Sequence, residues 1–304
     1  MKFLDFLILL LLFTIIGLGV YVIWFNLPIG PGGYNTFSIN TSKSESNSIQ
    51  FYPNMRYVDK TINYYISNSC DFERMKNAQE AFLVIGDKTV LTFTKVGNPS
   101  DAQIRVLCSN IAPTPEEEGH FVAGEGGPSE IINSSRYAII LSGKVSLFRL
   151  TNCDSPNVAI HEILHALGFD HNGNEKSIMY PITGCDQEID SYIINEIDRL
   201  YRADSLPDLV IEKGAANKTG RYLSFDITIA NFGLKDSTDS DLSIYAGGEL
   251  VKDFNLGEIN IGTRKVLSVE NLRVPRDSGD ILFQVRTEDR ELDDSNNEVK
   301  ILLG

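Results

Sequence analysis

The sequence predicts an α+β domain followed by an all-β domain, with an apolar helix at the N-terminus. Three observations support this fold class. Residues 6–25 contain no charged side chain, helical and strand patterns alternate over residues 51–204, and only strand patterns recur over residues 207–304. We therefore expect an N-terminal helix over residues 1–25, a linker over residues 26–50, and two folded domains over the two later ranges.

The apolar run from Phe6 to Phe25 is long enough to cross the hydrocarbon core of a membrane. The sequence after it has no clear cleavage site, so we expect an uncleaved transmembrane signal anchor, with secretion after signal cleavage as the alternative. Lys2 precedes the run and the next basic residue is Lys43, which predicts a cytoplasmic N-terminus and an extracellular location for both domains. The linker is rich in Gly, Pro, Ser and Asn, which is typical of a flexible tether.

The elements of the first domain follow from the spacing of its apolar residues. TINYYIS, from Thr61, alternates as a strand does, and FERMKNAQEAFLVIG has helical spacing that ends at Gly86. VLTFTKV, AQIRVLC and RYAIILS predict further strands, and an amphipathic helix from Asp186 closes the domain. Ahead of that closing helix, Ser155 is a candidate N-cap for a helix that extends to about Leu167.

The helix capped in this way carries the motif H-E-x-x-H-x-x-G-x-x-H, within AIHEILHALGFDHN. His161 and His165 are four residues apart, so both imidazoles project from one helix face and can bind one ion. Gly168 accepts positive φ, ends the helix and lets His171 reach a third position, which leaves a fourth position open. Glu162 is too close in sequence to share the orientation of the ligands, but it can act as a general base. These residues predict one catalytic Zn²⁺, with manganese or cobalt as alternatives.

This motif and the segment SIMYP, Ser177 to Pro181, resemble the metzincin zinc proteases and, within them, the matrix metalloproteinase-like branch. The resemblance covers residues 50 to 204. It implies a metzincin-type domain with a twisted, mostly parallel sheet, an active-site helix and a Met-turn at Met179, whose thioether underlies the imidazoles. A core methionine is the alternative for Met179. The reaction implied is the hydrolysis of peptide bonds in a protein or peptide substrate.

The same resemblance implies that GHFVAGE, Gly119 to Glu125, is an edge strand that pairs with the substrate backbone, although an ordinary loop agrees equally with this sequence. His120 is the one histidine outside the motif, and we expect an exposed side chain rather than a zinc ligand. No cysteine precedes Cys70, so latency through a cysteine switch is not expected. His120 alone also cannot supply a second, structural zinc site.

Four cysteines favour an exported, disulfide-bonded chain. Pairing Cys70 with Cys108 and Cys153 with Cys185 is the simplest of three connectivities. The second pair would enclose the whole metal-bearing segment. Four free buried thiols are the alternative.

The second domain has the pattern of an immunoglobulin-like β-sandwich with seven strands. The candidate strands are DLVIEKG, YLSFDITIAN, DLSIYAGG, LVKDFNL, RKVLSVENL, DILFQVRT and EVKILLG. The pieces PDLVIE, ITIANFG and DDSNNEVKI resemble the cell-adhesion-related repeat, CARDB, of microbial surface proteins. No cluster in this domain has a catalytic pattern, so its expected role is substrate docking, association with a surface partner or spacing, and no residue singles out one of the three.

An acidic turn near the C-terminus contains Asp289, Glu291, Asp293 and Asp294. Their oxygens could hold Ca²⁺, but the ligand spacing of a known calcium loop is absent. A solvated hairpin is therefore the preferred interpretation.

A net charge of −14, from 41 acidic and 27 basic residues, argues against an extended surface for nucleic acid. Together these features predict a membrane-anchored, outward-facing zinc endopeptidase in which Glu162 is the general base. Two alternatives remain. One is a surface adhesion or binding protein with a degenerate zinc domain, and the other is a zinc hydrolase of a non-protein amide.

Overall fold

The computed structural model describes most of the chain in five segments. They are residues 2–26, 35–38, 49–114, 122–150 and 153–302. The first segment is helix α1, Lys2–Asn26. Within the described segments, no helix combines the length and the apolar content that crossing a bilayer requires. The expectation of a transmembrane anchor is therefore unsupported.

The next elements alternate between strands and helices, as the sequence predicts for an α+β domain. In chain order they are β1 (Asn35–Ser38), β2 (Met55–Tyr57), β3 (Thr61–Ile66), α2 (Phe72–Lys88), β4 (Thr92–Lys95), β5 (Ile104–Cys108), β6 (Gly124–Asn133), β7 (Ala138–Leu147), α3 (Asn157–Ala166) and α4 (Ser191–Leu200). The closing helix begins at Ser191 and not at Asp186. The reason is that Glu188 exchanges backbone hydrogen bonds with Lys176 and Ile178, which holds this stretch extended.

The sheet of the first domain is mostly parallel. The strand order is β2-β7-β5-β3-β4, and each of these strands is parallel to its neighbours in that order. Strand β6 is antiparallel to β7. Among the described strands β6 pairs only with β7, so it forms an edge of the sheet. This edge is the part of the sheet that reaches the candidate site.

Two helices pack in the core of this domain. Helix α2 is capped by Asp71, whose side chain accepts a hydrogen bond from the Arg74 backbone N–H at 2.9 Å. All ten residues of α3 are buried. The predicted cap of α3 was wrong, because the Ser155 hydroxyl donates to the Asn157 side chain and Pro156 occupies the N-cap position without a side-chain bond.

The second domain is a sandwich of two four-stranded sheets. Its strands are β8 (Leu209–Thr219), β9 (Tyr222–Asn231), β10 (Ser240–Ala246), β11 (Glu249–Gly257), β12 (Arg264–Arg273), β13 (Asp280–Thr287) and β14 (Glu298–Leu302). One sheet has the order β1-β8-β9-β12 and the other has the order β11-β10-β13-β14. The seven predicted strands therefore all form, and α+β remains the class of the whole chain.

The eighth strand of the sandwich is β1, which comes from the segment predicted to be a tether. It pairs antiparallel with β8, from Asn35 opposite Ala216 to Ser38 opposite Lys213. Phe37 packs against the sandwich core over Gly214, where an added Cβ would lie 2.7 Å from the Phe37 ring. Part of this segment is therefore an ordered edge strand.

Candidate active site

Helix α3 presents three of the predicted site residues. His161, Glu162 and His165 are 4%, 7% and 7% exposed, which is unusual for ionisable side chains and requires internal partners. The helix ends before Gly168, whose φ is +95°. An added Cβ there would lie 2.6 Å from Met55 Cγ, so glycine is required both for the turn and for close packing.

The turn at Gly168 brings the third histidine of the motif to the first two. The Nε2 atoms of His161 and His165 are 3.0 Å apart, and each lies 3.1 Å from Nε2 of His171. Among the described residues this triad is the one group of three or more His, Cys, Asp or Glu side chains whose ligand atoms converge. An ion 2.0–2.1 Å from each nitrogen, the usual Zn–N distance, can reach all three atoms at this separation.

The hydrogen bonds of the imidazoles show that this donor set suits a metal. His161 Nδ1 donates to the Ile178 carbonyl at 2.6 Å, and His165 Nδ1 donates to the Phe169 carbonyl at 2.7 Å. Since a carbonyl only accepts, both Nδ1 atoms carry the proton and both Nε2 atoms turn lone pairs toward the centre. Converging lone pairs repel one another unless a cation lies between them. Such orientation by backbone carbonyls is typical of metal-binding histidines.

The electrostatic environment keeps the imidazoles neutral, which is the form that binds metal. Burial, followed by the neighbouring His165, lowers the pKa of His161 to about 3. Burial also lowers the pKa of His165 and of His171.

The segment SIMYP lies directly beside the triad. Met179 is fully buried, and its carbonyl accepts a hydrogen bond at 2.9 Å from the N–H of Asn172, the residue after the third histidine. Ile178, which precedes it, supplies the carbonyl that orients His161. Met179 therefore lies on a turn that is bonded both to the first histidine and to the residue that follows the third.

The Glu162 side chain lies in a poorly solvated position next to the triad. Burial, followed by the negative charge of Glu125, raises the pKa of Glu162 to about 8. A cation held by the imidazoles would favour the ionised form and lower this pKa. A carboxyl group whose pKa lies near neutral pH is suited both to accept a proton and to return it.

Strand β6 lies directly against Glu162, and two glycines make this possible. An added Cβ at Gly124 would lie 2.8 Å from Glu162 Oε1, and one at Gly126 would lie 2.0 Å from the Glu162 backbone oxygen. At Gly126 the backbones of strand and helix are thus in direct contact, and at Gly124 the strand lies against the Glu162 side chain. We call the space bordered by the first residues of β6 and by the histidine triad the cleft.

A second segment holds the turn between the second and third histidines. The Phe51 N–H donates to the Gly168 carbonyl at 3.0 Å, and the Asp170 N–H donates to the Ile49 carbonyl at 2.7 Å. The Phe51 ring also stacks on His165, with 5.7 Å between centroids. Residues 49–51 therefore stabilise the turn that places His171 beside the other two histidines.

Both predicted disulfides form. Cys70 is bonded to Cys108, and Cys153 is bonded to Cys185. The second bridge encloses α3, the third histidine and the Met-turn. With a sequence separation of 32 between its cysteines, it contributes about 3–4 kcal/mol by restricting the unfolded chain.

The other predicted site residues belong to the predicted edge strand, Gly119 to Glu125, and to the acidic turn near the C-terminus. His120 and residues 119–121 of the predicted edge strand lie outside the described residues, whereas Gly124 and Glu125 begin β6. In the acidic turn the carboxylates have protein partners: Asp289 accepts from the Thr238 N–H, Glu291 from the Leu209 N–H and Asp293 from Ser295. Ligand atoms of three or more His, Cys, Asp or Glu side chains converge, in the described part of the chain, only at the histidine triad.

Sequence reasoning missed the contacts that come from distant segments. The Gly-x-Gly spacing of Gly124 and Gly126 is a weak signal for close backbone packing, and it could have been noticed. Residues 49–51 carry no comparable signal, because they hydrogen-bond to the turn after α3 through backbone groups that any residue has.

Comparison with known proteins agrees with this geometry. Residues 56–202 match the matrixin family of M10 peptidases, and residues 206–300 match CARDB. Karilysin from Tannerella forsythia is 28% identical over 151 residues, which cover 43% of this chain and 30% of karilysin. This chain therefore spans less than a third of the length of that relative.

Among solved structures, the CARDB domain of the PF1109 protein from Pyrococcus furiosus, in complex with di-metal ions, is 18% identical with a TM-score of 0.28. The match covers 33% of this chain and 88% of that domain. The two family matches identify a matrixin domain in residues 56–202 of this chain, followed by a CARDB domain in residues 206–300.

Proposed function

We propose that this chain is a zinc-dependent endopeptidase. The observation that carries the proposal is the convergence of three imidazole Nε2 atoms within 3.1 Å of one another, with the buried Glu162 next to the first histidine in the chain. The matrixin match and the similarity to karilysin support the same reaction class. An intact Glu162 argues against a degenerate zinc domain, because a purely structural site has no use for that carboxylate.

Each residue of the site has a distinct role in this proposal. His161, His165 and His171 would hold the ion, and Met179 would form the apolar base beneath them. When bound, zinc supplies a Lewis acid for the peptide carbonyl and lowers the pKa of water to about 7. Glu162 accepts the proton from the attacking water and then delivers it to the amine nitrogen of the leaving group.

The free edge of β6 would bind the substrate. Since β6 pairs with β7 alone among the described strands, its other edge offers unpaired backbone groups beside Glu162. An extended peptide would pair there as an added strand, which keeps its scissile bond close to the triad. Binding through the backbone favours unfolded or flexible segments of protein as substrates.

Metal removal provides the test. We expect the purified full chain, loaded with zinc, to cleave members of a diverse peptide library, to lose this cleavage in EDTA and to regain it when zinc is added back in excess. A chain that binds zinc stoichiometrically but cleaves no peptide would contradict the proposal. Cleavage that EDTA does not affect would also contradict it.

We further propose that the enzyme acts outside the reducing cytoplasm. All four cysteines are paired in two bridges, and such bridges persist in oxidising compartments. We expect that alkylation of the chain in freshly acid-quenched cells detects no free thiol. Substantial alkylation at any of the four cysteines before reduction would refute this location.

A further inference from the structure

Strand β6 connects the candidate active site to the CARDB domain. Its first residues lie against Glu162, and its last residues reach the CARDB domain. Ten residues of extended chain span about 30 Å, so one strand joins the cleft to the second domain.

The pairing of β6 within its own sheet is weak in the middle. Its register with β7 shifts between Pro128 and Glu130 and again between Glu130 and Ile131. Pro128 has no N–H to donate, and most side chains of the strand are half-buried or exposed. An edge strand with an interrupted ladder needs other contacts to hold it in one position.

The CARDB domain supplies such contacts at the end of β6 and in the turn that follows it. Gly262 has a φ of +68°, and an added Cβ there would lie 2.6 Å from Ile132 Cγ2 and 3.1 Å from the Asn133 carbonyl oxygen. The Ser134 hydroxyl, which is buried, donates to the Phe232 carbonyl at 3.1 Å.

An ion pair beside this turn adds to the junction. Arg136 Nη1 lies 2.9 Å from Asp208 Oδ2, whose side chain is fully buried, and Arg136 Nη2 lies 3.3 Å from Asp293 Oδ2. Both carboxylates belong to the CARDB domain.

We infer that the CARDB domain positions β6 over Glu162, and therefore acts on the cleft from the far end of that strand. The inference rests on the proposed function only for its effect on catalysis. Residues such as Gly262 are positioning residues, because they touch neither the substrate nor the reacting atoms. The second domain is then part of the peptidase and not only a spacer or an adhesion module.

The test uses two glycines of the CARDB domain in the full chain. Gly262→Ala adds both backbone strain and a methyl group directed at Ile132. Gly248→Ala is the matched control, since its φ is +85° and nothing lies within 4 Å of an added Cβ. Both variants carry a comparable backbone strain in the same domain, and only the first disturbs the contact with β6.

We expect Gly262→Ala to accelerate amide hydrogen exchange in residues 124–127 and to raise KM by about three- to tenfold at equal zinc content. Gly248→Ala should change neither quantity. Adding Ile132→Ala to Gly262→Ala removes the atom in conflict, and we expect it to restore part of the protection in residues 124–127.

The inference is overturned if exchange in residues 124–127 is the same in the two single variants. It is also overturned if faster exchange in Gly262→Ala stays within the CARDB domain. Hydrogen exchange does not depend on catalysis. If the wild-type chain cleaves no peptide, the proposed function is refuted, and the exchange measurement still tests whether the CARDB domain positions β6.

Discussion

Replacement of Glu162 by glutamine is expected to reduce kcat/KM by about 10²–10⁴-fold while zinc remains bound. Glutamine has nearly the same shape as glutamate, so it can occupy the space beside Gly124, but it cannot accept the proton from water. The three histidines are unchanged, so metal content measured by mass spectrometry should equal that of the wild type. Peptide hydrolysis would be measured in a preparation free of other proteases.

Glu125→Gln is the matched control for this variant. It removes an equal charge from the residue next to Gly124, and the Glu125 side chain is exposed. Because Glu125 is only the second cause of the raised pKa of Glu162, after burial, we expect a change in kcat/KM that is small compared with the loss in Glu162→Gln. Wild-type turnover in Glu162→Gln would exclude Glu162 as the general base. Equal losses of kcat/KM in Glu162→Gln and Glu125→Gln would mean that catalysis needs negative charge at either position and not a base at Glu162.

Replacement of Gly126 by alanine is expected to destabilise the matrixin domain by about 3 kcal/mol or more, at the upper end of overpacking effects. The added methyl carbon would lie 2.0 Å from the Glu162 backbone oxygen, 2.7 Å from its carbonyl carbon and 2.8 Å from its Cα. Backbone atoms within a buried helix cannot rotate away as a side chain can. Strand and helix must therefore separate, and chemical denaturation should measure the loss.

Gly127→Ala tests whether this effect is specific to the contact. Nothing lies within 4 Å of an added Cβ at Gly127. Alanine also restricts the unfolded chain more than glycine does, so we expect a stability within about 1 kcal/mol of the wild type. Similar losses of stability in Gly126→Ala and Gly127→Ala would show that β6 needs glycine for its backbone flexibility and not for its contact with α3.

The convergence of the histidines could be predicted because it depends on local geometry. Four residues separate His161 from His165, which places both on one helix face wherever that helix lies in the fold. The turn to His171 needs one positive φ, and Gly168 provides it. The same local rules predict the seven strands of the second domain, since alternation and turn residues suffice.

Contacts between distant segments could not be predicted in this way. Strand β1 contains the four residues NTFS, too few for a period of two to be recognised, and the composition around it is typical of a tether. Its partner, β8, lies in the other domain. The start of α4 was misplaced for a similar reason, because the pairing of Glu188 with the Met-turn overrides the helical pattern from Asp186 onward.

The position of β1 has a consequence for the way the chain folds during synthesis. The Asn35 side chain donates to the Leu302 carbonyl, a hydrogen bond between residues 267 positions apart. A ribosome that adds roughly 5–20 residues per second needs on the order of 10 s after making β1 before β8 exists to receive it. The sandwich therefore reaches its full set of strands only after the ribosome has passed Leu302, 267 residues after Asn35.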